Sequence, residues 1–347
     1  MLVFEPQKYF QQCHASTLAQ LKDGRIFVAW FAGTRESFPD TAIWMSYLFP
    51  NEKVWSKPAI IAKVENVAHW NPVLFTFNDK MYMFFKVGNL IENWITYYMV
   101  FENEKWNEPQ KLIDGVSVQH NRGPVRSKPI VLSNGYWLAP SSIETTINPP
   151  TMFNRSDVVW KAFVDISKNE GKTWNKSSLI DFNRKKYGFK DGKYGGVIQP
   201  TLWESSSIGN VHMLLRSTAG FIFRSDSTDY GKTWCEAYPT ELPNNNSGID
   251  VVNFNNFNNF NNFNGHLFLV FNPVAGNWAA RTPLSLTLSK DNGKTWGKPL
   301  NIQEGQGSFS YPSIIALNDG SVGITYSWNR LSISFVKIIL KNKSNVV

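Results

Sequence analysis

The apolar residues of this chain fall in short runs, roughly four to eight residues long, that end at Gly, Asn, Asp or Pro. Runs of that length with those terminators are typical of β-strands. No stretch keeps the periodicity of a long amphipathic helix, and none is long and apolar enough to cross a membrane. The pattern therefore predicts an all-β chain in which many short strands alternate with turns.

One sequence motif, Ser-x-Asp-x-Gly-x-Thr-Trp, occurs three times and ends at Trp174, Trp234 and Trp296. Asn169 replaces the Asp in the first copy. The Asp can accept hydrogen bonds from backbone N–H groups of its own turn, and the Gly supplies a positive φ angle. The copies are about 60 residues apart, a period that indicates repeated supersecondary units such as propeller blades. We therefore predict a hairpin turn at each copy.

A second, weaker repeat opens a short strand with a polar or aromatic residue, often followed by Pro, and a second strand follows after a turn. The openings are marked by His14, Asn71, Lys128, Gln199, Asp250 and Tyr311. Together the two repeats predict a six-bladed β-propeller of four-stranded antiparallel blades, a single domain over residues 1–347. We expect residues 2–4 to close the ring by pairing with the last blade.

The segment 253–264 consists of Asn and Phe in a period of three, which matches neither a strand nor a helix. Such low-complexity segments need not form a packed core. We interpret it as an expanded hairpin loop inserted in the propeller.

The composition favours an anionic small ligand or glycan over a nucleic acid as the binding partner. The formal charge is +8, but the basic residues do not cluster in runs and no nucleic-acid-binding motif is present. Two cysteines, Cys13 and Cys235, do not make a disulfide framework, so we expect free thiols. No metal-ligand spacing or phosphate loop is visible, and we expect no cofactor and no metal. The N-terminus lacks a secretory signal, which predicts a cytoplasmic protein unless a leader has been removed. The sequence specifies no oligomeric state.

The expected mouth of the propeller is rich in cations. First-strand starts and second-strand ends converge there, and we expect Asn71, Lys128 and Asp250 to contact substrate. The second strands end near Arg35, Lys86, Glu144, Arg216, Asn272 and Arg330. Arg281 lies before the third strand of the fifth unit. Because a guanidinium can bind a carboxylate bidentately, converging arginines indicate recognition of an acidic glycan.

The repeated turns and the short motifs that open the first strands resemble those of the sialidase (neuraminidase) superfamily, and of BNR-repeat sialidase-like proteins in particular. Among these motifs are Gln199-Pro200 and Tyr311-Pro312. The resemblance covers nearly the whole chain. It implies an exo-acting glycosidase that releases a terminal α-linked acidic sugar, such as sialic acid, with retention. Within it, Tyr311 corresponds to the nucleophile and Asp40 to the acid/base. The carboxylate-binding arginines correspond to Arg216 and Arg281, and Arg35 is the basic residue of the first-blade loop.

Two departures from the family pattern concern the reaction. His14 stands where sialidases carry their first triad arginine, and Gln199 stands where they carry the glutamate that assists the tyrosine. Glu144, Asp250 or Glu204 could assist instead.

Two alternative functions therefore stay open. One is a polysaccharide lyase acting on a uronate, with Tyr311 or His14 as the base. The other is a glycan-binding propeller without catalysis.

Overall fold

The computed structural model describes residues 1–113, 121–146, 158–189, 194–254 and 265–340, and most of the segment 253–264 lies outside this part. Its regular structure is almost entirely β, since the one helical element described is the 3₁₀ turn Ile91–Asn93. No helix of the described residues is long and apolar enough to cross a membrane.

The strands form sheets that follow one another along the chain, each built by neighbouring strands in sequence order. The first sheet contains β1 (Gln12–Gln20), β2 (Ile26–Gly33), β3 (Ala42–Leu48) and β4 (Ala59–Ala62). The second contains β5 (His69–Phe77), β6 (Lys80–Val87), β7 (Ile95–Glu102), β8 (Lys105–Trp106) and β9 (Gln110–Lys111).

An eight-stranded sheet follows. It contains β10 (Ile130–Val131), β11 (Trp137–Thr146), β12 (Val158–Ser167), β13 (Asn175–Lys176), β14 (Gly195–Glu204), β15 (Val211–Ser217), β16 (Phe221–Ser227) and β17 (Tyr238–Pro243). Its two halves are antiparallel and meet through a short parallel pairing of β12 with β14. The fourth sheet contains β18 (Asp250–Asn253), β19 (Leu267–Phe271), β20 (Leu284–Ser289) and β21 (Leu300–Gln303). The last contains β22 (Phe309–Ala316), β23 (Val322–Trp328) and β24 (Ser332–Ile338).

Several clusters of the hydrophobic core lie between consecutive sheets. One joins Phe31 of β2 to Phe85 of β6, and another joins Phe268 of β19 to Ile324 of β23. A further cluster joins Val28 of β2 to Phe335 of β24, so the last sheet also packs against the first. The expected all-β class is confirmed, and the arrangement brings the first strands of the sheets together.

The N-terminal segment completes the last sheet. Leu2 forms a bridge with Ser334, and the Val3 N–H donates to the Ile333 carbonyl at 2.8 Å. The expected pairing of residues 2–4 with the last strands is confirmed.

The three repeated turns have the predicted geometry. Asp229 Oδ1 accepts the Lys232 and Thr233 N–H groups at 3.0 and 2.9 Å, and its Oδ2 accepts the Thr233 hydroxyl at 2.7 Å. The Trp234 indole then donates to the Gly231 carbonyl at 2.9 Å. Asn169 and Asp291 accept the equivalent threonine N–H groups, each at 2.9 Å.

Candidate active site

Four first strands carry the same backbone irregularity at the same place. The antiparallel register shifts within β1, β5, β14 and β22, and a residue with positive φ lies in each shift. These residues are Ala15 (54°), Asn71 (35°), Gln199 (51°) and Tyr311 (55°). Three of them precede a proline, which has no N–H to give to the ladder. A β-bulge of this kind re-aims side chains and is common beside active sites.

The bulge in β1 changes the expected alignment of the first strand. Ala15, and not His14, is the residue equivalent to Asn71, Gln199 and Tyr311. His14 lies one residue earlier. This bulge could not be predicted because β1 has no proline at the position that marks the other three bulges.

Tyr311 lies at the centre of the candidate site. Arg216 Nη1 donates to its hydroxyl oxygen at 2.7 Å, and the same nitrogen donates to Gln199 Oε1 at 3.1 Å. The guanidinium carbons of Arg126 and Arg281 lie 5.3 and 5.5 Å from the centre of the tyrosine ring. Three arginines from different sheets or connections therefore surround one phenol.

These charges oppose the effect of burial on the phenol. Burial alone raises the pKa of Tyr311, since it disfavours the phenolate, whereas Arg216 and Arg281 lower it, and the net result is a pKa below the usual value. Arg330 adds to the lowering, and Glu36 opposes it. The site thus favours a more nucleophilic tyrosine.

His14 packs directly on Tyr311, with ring centres 4.1 Å apart. Its Nδ1 lies 2.8 Å from Ser327 Oγ, which also accepts the Ala15 N–H at 3.1 Å. Burial, helped by the charges of Arg330 and Arg281, holds the pKa of His14 well below its usual value. The imidazole is therefore neutral and cannot replace the charge of an arginine.

A cavity opens above Tyr311, and its wall includes several of the expected residues. It is lined by Glu36, Trp70, Asn71, Ile91, Trp94, Glu144, Val158, Trp160, Tyr194, Gln199, Arg216, Trp278, Arg281, Tyr311 and Arg330. Of these lining residues, Glu36 and Glu144 carry carboxylates. Arg330 Nη1 donates to Glu36 Oε2 at 2.6 Å. The expected grouping of Asn71, Gln199, Arg216, Arg281 and Tyr311 is thus present in the structure.

Asp40 and Arg35 lie outside the lining of this cavity. The Asp40 carboxylate accepts both the N–H and the hydroxyl of Thr34 at 2.8 Å, and it faces a separate depression beside Lys63. The Arg35 guanidinium stacks on Phe38 at 4.3 Å. The loop after β2 therefore sends Glu36 into the cavity, and sequence reasoning missed this residue because the loop offers two acidic side chains without indicating which one turns inward.

Lys128 and Asp250 pair with each other, with Lys128 Nζ 2.9 Å from Asp250 Oδ2. Asp250 is fully buried and also accepts the Thr201 hydroxyl at 2.7 Å and the Ile314 N–H at 3.0 Å. One carboxylate thus ties β14, β18 and β22 to the segment before β10. This pair supports the first strands and is not part of the cavity wall.

An aromatic wall beside Arg216 was also missed by sequence reasoning. The guanidinium carbon of Arg216 lies 5.1 Å from the Trp160 ring centre and 5.7 Å from that of Trp278. Tyr194 packs against both indoles, with ring centres 5.1 and 6.3 Å away. Trp278 is half exposed at 51%. Nothing in the sequence marks these residues, since Trp160 lies in β12 and the other two lie in separate connections, and they meet through tertiary packing.

The sheets and the site together define a sialidase-like all-β protein with a tyrosine surrounded by arginines at the bottom of its cavity. The family model described as a BNR repeat-like domain matches residues 24–324. The chain therefore belongs to the BNR repeat-like family. No curated protein sequence matches it.

Solved structures of sialidases have the same fold. The Hadza microbial sialidase Hz136 matches with a TM-score of 0.74 over 98% of this chain and 68% of its own, at 14% identity. The Trypanosoma rangeli sialidase in complex with the inhibitor DANA matches with a TM-score of 0.68 over 95% of this chain and 55% of its own, at 17% identity. A protein of unknown function from Dyadobacter fermentans matches with a TM-score of 0.73 over 98% of both chains, at 13% identity. At these identities the likeness establishes the fold alone.

Proposed function

We propose that this protein is an exo-acting glycosidase of the sialidase type, which removes a terminal α-linked acidic sugar with retention and uses Tyr311 as its nucleophile. We also infer that the sheets form one domain, a six-bladed β-propeller. One hydrophobic cluster joins the first sheet to the second, another joins the last two sheets, and a third joins the last sheet to the first. The eight-stranded sheet then counts as two blades, since its antiparallel halves meet only through the short parallel pairing of β12 with β14.

The observation that carries the proposal is the contact between Arg216 and the Tyr311 hydroxyl, 2.7 Å, inside a cavity that Arg281 and Arg330 also line. A tyrosine is a poor nucleophile at its ordinary pKa of about 10. Here the guanidinium groups lower that pKa against the effect of burial. The same cations suit a substrate that carries a carboxylate, which a carboxylate nucleophile would repel.

In the first step Arg216 and Arg281 hold the sugar carboxylate. The Tyr311 oxygen forms a bond to the anomeric carbon as the glycosidic bond breaks, and the leaving oxygen takes a proton. In the second step water attacks the anomeric carbon and releases Tyr311, so that two inversions give retention. Gln199 cannot accept the phenol proton as a carboxylate does.

Of the three carboxylates expected to assist the tyrosine, Glu144 lines the cavity, whereas Asp250 is paired with Lys128. Glu204 accepts the Ser133 N–H at 2.7 Å on another part of the fold. We therefore assign removal of the phenol proton to Glu144. Asp40 is fastened to Thr34, and we do not assign it the leaving-group proton.

The test is hydrolysis of a 4-methylumbelliferyl sialoside by the wild type, Tyr311→Phe and Tyr98→Phe. The last variant is a matched control, since Tyr98 also loses a hydrogen-bonded hydroxyl, its 2.8 Å contact with Gln110, away from the cavity. We expect turnover to fall by at least ~10³-fold in Tyr311→Phe and to stay near wild type in Tyr98→Phe. A 2,3-difluorosialic acid should add its glycosyl mass to the wild type and not to Tyr311→Phe. Absence of turnover by folded wild type, with saturable sialic acid binding, would instead indicate a binding propeller.

One observation favours a second candidate, a uronate lyase. The neutral His14 ring packs on Tyr311 at 4.1 Å, which pairs a base with a proton donor beside the same arginines. A lyase abstracts the proton next to the carboxylate and leaves a double bond in the product. An increase in ultraviolet absorbance from a uronate polymer, lost in both His14→Phe and Tyr311→Phe, would favour this reaction over hydrolysis.

A further inference from the structure

The wall of the cavity contains an ion pair, Glu36 with Arg330, at a nitrogen–oxygen distance of 2.6 Å. Its side chains are 30% and 32% exposed. The pair is therefore reachable from the mouth, unlike the buried pair of Lys128 with Asp250 described above. Partly solvated ion pairs are weak and can exchange partners.

The backbone fixes the position of Arg330. Asn329 and Arg330 form the turn after β23 with φ angles of 53° and 58°. Asn329 exchanges hydrogen bonds with Ser308 at 2.7 and 2.8 Å, and the Arg330 carbonyl accepts the Cys13 N–H at 2.8 Å. The turn is thus attached both to the start of β1, beside His14, and to the segment that leads to Tyr311.

The charge of Arg330 reaches the groups at the bottom of the cavity. It lowers the pKa of both Tyr311 and His14. Glu36 has the opposite effect on Tyr311. Arg330 and Tyr311 line the same cavity, so a carboxylate that took the place of Glu36 on Arg330 would lie in the cavity that contains the phenol.

The carboxylate of Glu36 is carried by a loop whose ends are fastened. Thr34 is held by Asp40, and the Thr41 hydroxyl donates to the His69 carbonyl at 3.2 Å. Glu36 lies between these anchors. Its side chain can turn away from Arg330 without displacing the ends of the loop.

We propose that Glu36 occupies Arg330 in place of the substrate, that the substrate carboxylate replaces it there, and that the released Glu36 protonates the leaving oxygen. This inference rests on the proposed function. Arg330 then supplies a third guanidinium beside Arg216 and Arg281, from the turn after β23. A neutral His14 could not supply that charge.

The exchange accounts for both roles of Glu36. A carboxyl group that loses a cationic partner and gains an anionic neighbour holds a proton more strongly. Once released, Glu36 would take up a proton from solvent, pass it to the glycosidic oxygen as that bond breaks, and recover one from the water that attacks in the second step. When the product leaves, Glu36 returns this proton to solvent and pairs with Arg330 again, so the net reaction is hydrolysis.

The first experiment measures binding of N-acetylneuraminic acid and of its neutral methyl ester by calorimetry, together with hydrolysis. We expect Glu36→Gln to bind the acid several-fold more tightly than wild type, because the competing carboxylate is gone, and to hydrolyse sialosides more slowly. The loss should be about tenfold larger for an alkyl aglycone than for 4-methylumbelliferone, which needs less protonation. A merely structural role of Glu36 gives no such combination.

The second experiment uses Arg330→Met and Arg330→Lys. The matched control is Arg25→Met, which removes an arginine that pairs with Glu104 away from the cavity. We expect Arg330→Met to raise KM by ~10-fold or more and to reduce the preference for the acid over the ester by the same factor, with the lysine variant between them. Arg25→Met should change neither quantity.

The two proposals fail in different ways. If wild type hydrolyses sialosides but Glu36→Gln binds the acid no more tightly and Arg330→Met keeps its preference for the acid, the exchange is wrong and the proposed glycosidase stands. If wild type neither binds the acid nor hydrolyses sialosides, both are wrong.

Discussion

The reactivity of Tyr311 depends on the balance between burial and nearby arginines. Burial is the largest single influence and raises its pKa, but the charges of Arg216, Arg281 and Arg330 together leave the pKa below its usual value. The hydrogen bond from Arg216, 2.7 Å long, acts directly on the oxygen that would attack. At the scale of single residues, the site is therefore a phenol whose ionised form is stabilised by fixed cations.

This balance predicts the titration of Tyr311. In an ultraviolet difference titration of wild type against Tyr311→Phe, phenolate absorbance should develop below pH ~10, the usual value for tyrosine. Arg281→Met should move the midpoint upward, because it removes one of the charges that lower the pKa. Arg25→Met, which removes an arginine paired with Glu104 away from the cavity, is the control. A midpoint at or above 10 in the wild type would contradict the electrostatic argument.

A second residue-scale prediction concerns His69. Its Nε2 accepts the Val64 N–H at 3.0 Å, and its Nδ1 lies 3.1 Å from the Val67 carbonyl. Burial lowers its pKa to about 4 from 6.5. The folded state therefore binds fewer protons than the unfolded state between these values, and stability falls as the pH drops through that window.

We expect the free energy of unfolding to decrease by about 2 kcal/mol between pH 7 and pH 4 through this group. Urea denaturation of wild type and His69→Gln at both pH values measures it. The glutamine variant cannot take up the proton, so it should lose less stability than wild type over the same interval. Equal losses would show that His69 does not contribute.

At the scale of elements, each repeated turn is held by its Asp or Asn side chain together with the Ser that opens the motif, whose Oγ accepts the N–H of the Gly. Asp229 makes three hydrogen bonds to backbone and hydroxyl groups of its turn through Lys232 and Thr233. Asn169 makes a similar set with a neutral amide. Charge-assisted bonds are the stronger ones, so the turn of Asp229 should be the more dependent on its side chain.

Asp229→Ala should therefore lower the free energy of unfolding by ~1–2 kcal/mol, and Asn169→Ala by less. Thermal unfolding of both variants tests this. The glycosidase activity proposed for this protein should not change in the folded fraction, since neither residue lines the cavity. If both substitutions lowered the free energy of unfolding equally, the charge of Asp229 would not make its turn more dependent on the side chain.

The strands and turns that could be predicted from the sequence are those that depend on local residue patterns. The strands β2, β6 and β15 and the three turns depend on neighbours within a few residues, and each was predicted. The predicted alignment of β1, with His14 at the bulge, was wrong by one residue. The bulge is stabilised by Ser327, which lies far along the chain. The inward turn of Glu36 and the pairing of Lys128 with Asp250 likewise depend on contacts between sheets, which periodicity does not record.

At the scale of the whole molecule, the ends of the described chain meet. The Phe4 ring stacks on Trp30 at 4.9 Å and packs within the cluster that joins the first sheet to β24. The backbone bonds of Val3 with Ile333 and of Phe335 with Met1, both 2.8 Å, hold the segment on β24. The N-terminal segment therefore adds to the packing between the first and the last sheet.

Phe4→Ala should destabilise the whole fold by ~3 kcal/mol, as expected for removal of a buried aromatic ring. Glu5→Ala, next to it and exposed, is the control. Calorimetry should show a lower Tm in a single transition if all sheets unfold together. A separate early transition for Phe4→Ala would show that the last sheet opens by itself.

At the four bulges the strand folds in the same way whichever side chain is present. These positions are Ala15, Asn71, Gln199 and Tyr311. The backbone conformation is the same although the four side chains differ in size and polarity. New chemistry could therefore evolve by single substitutions at these positions while the scaffold persists. A combinatorial library at Ala15, Asn71 and Gln199 would therefore test whether ligand preference can change while the fold is kept.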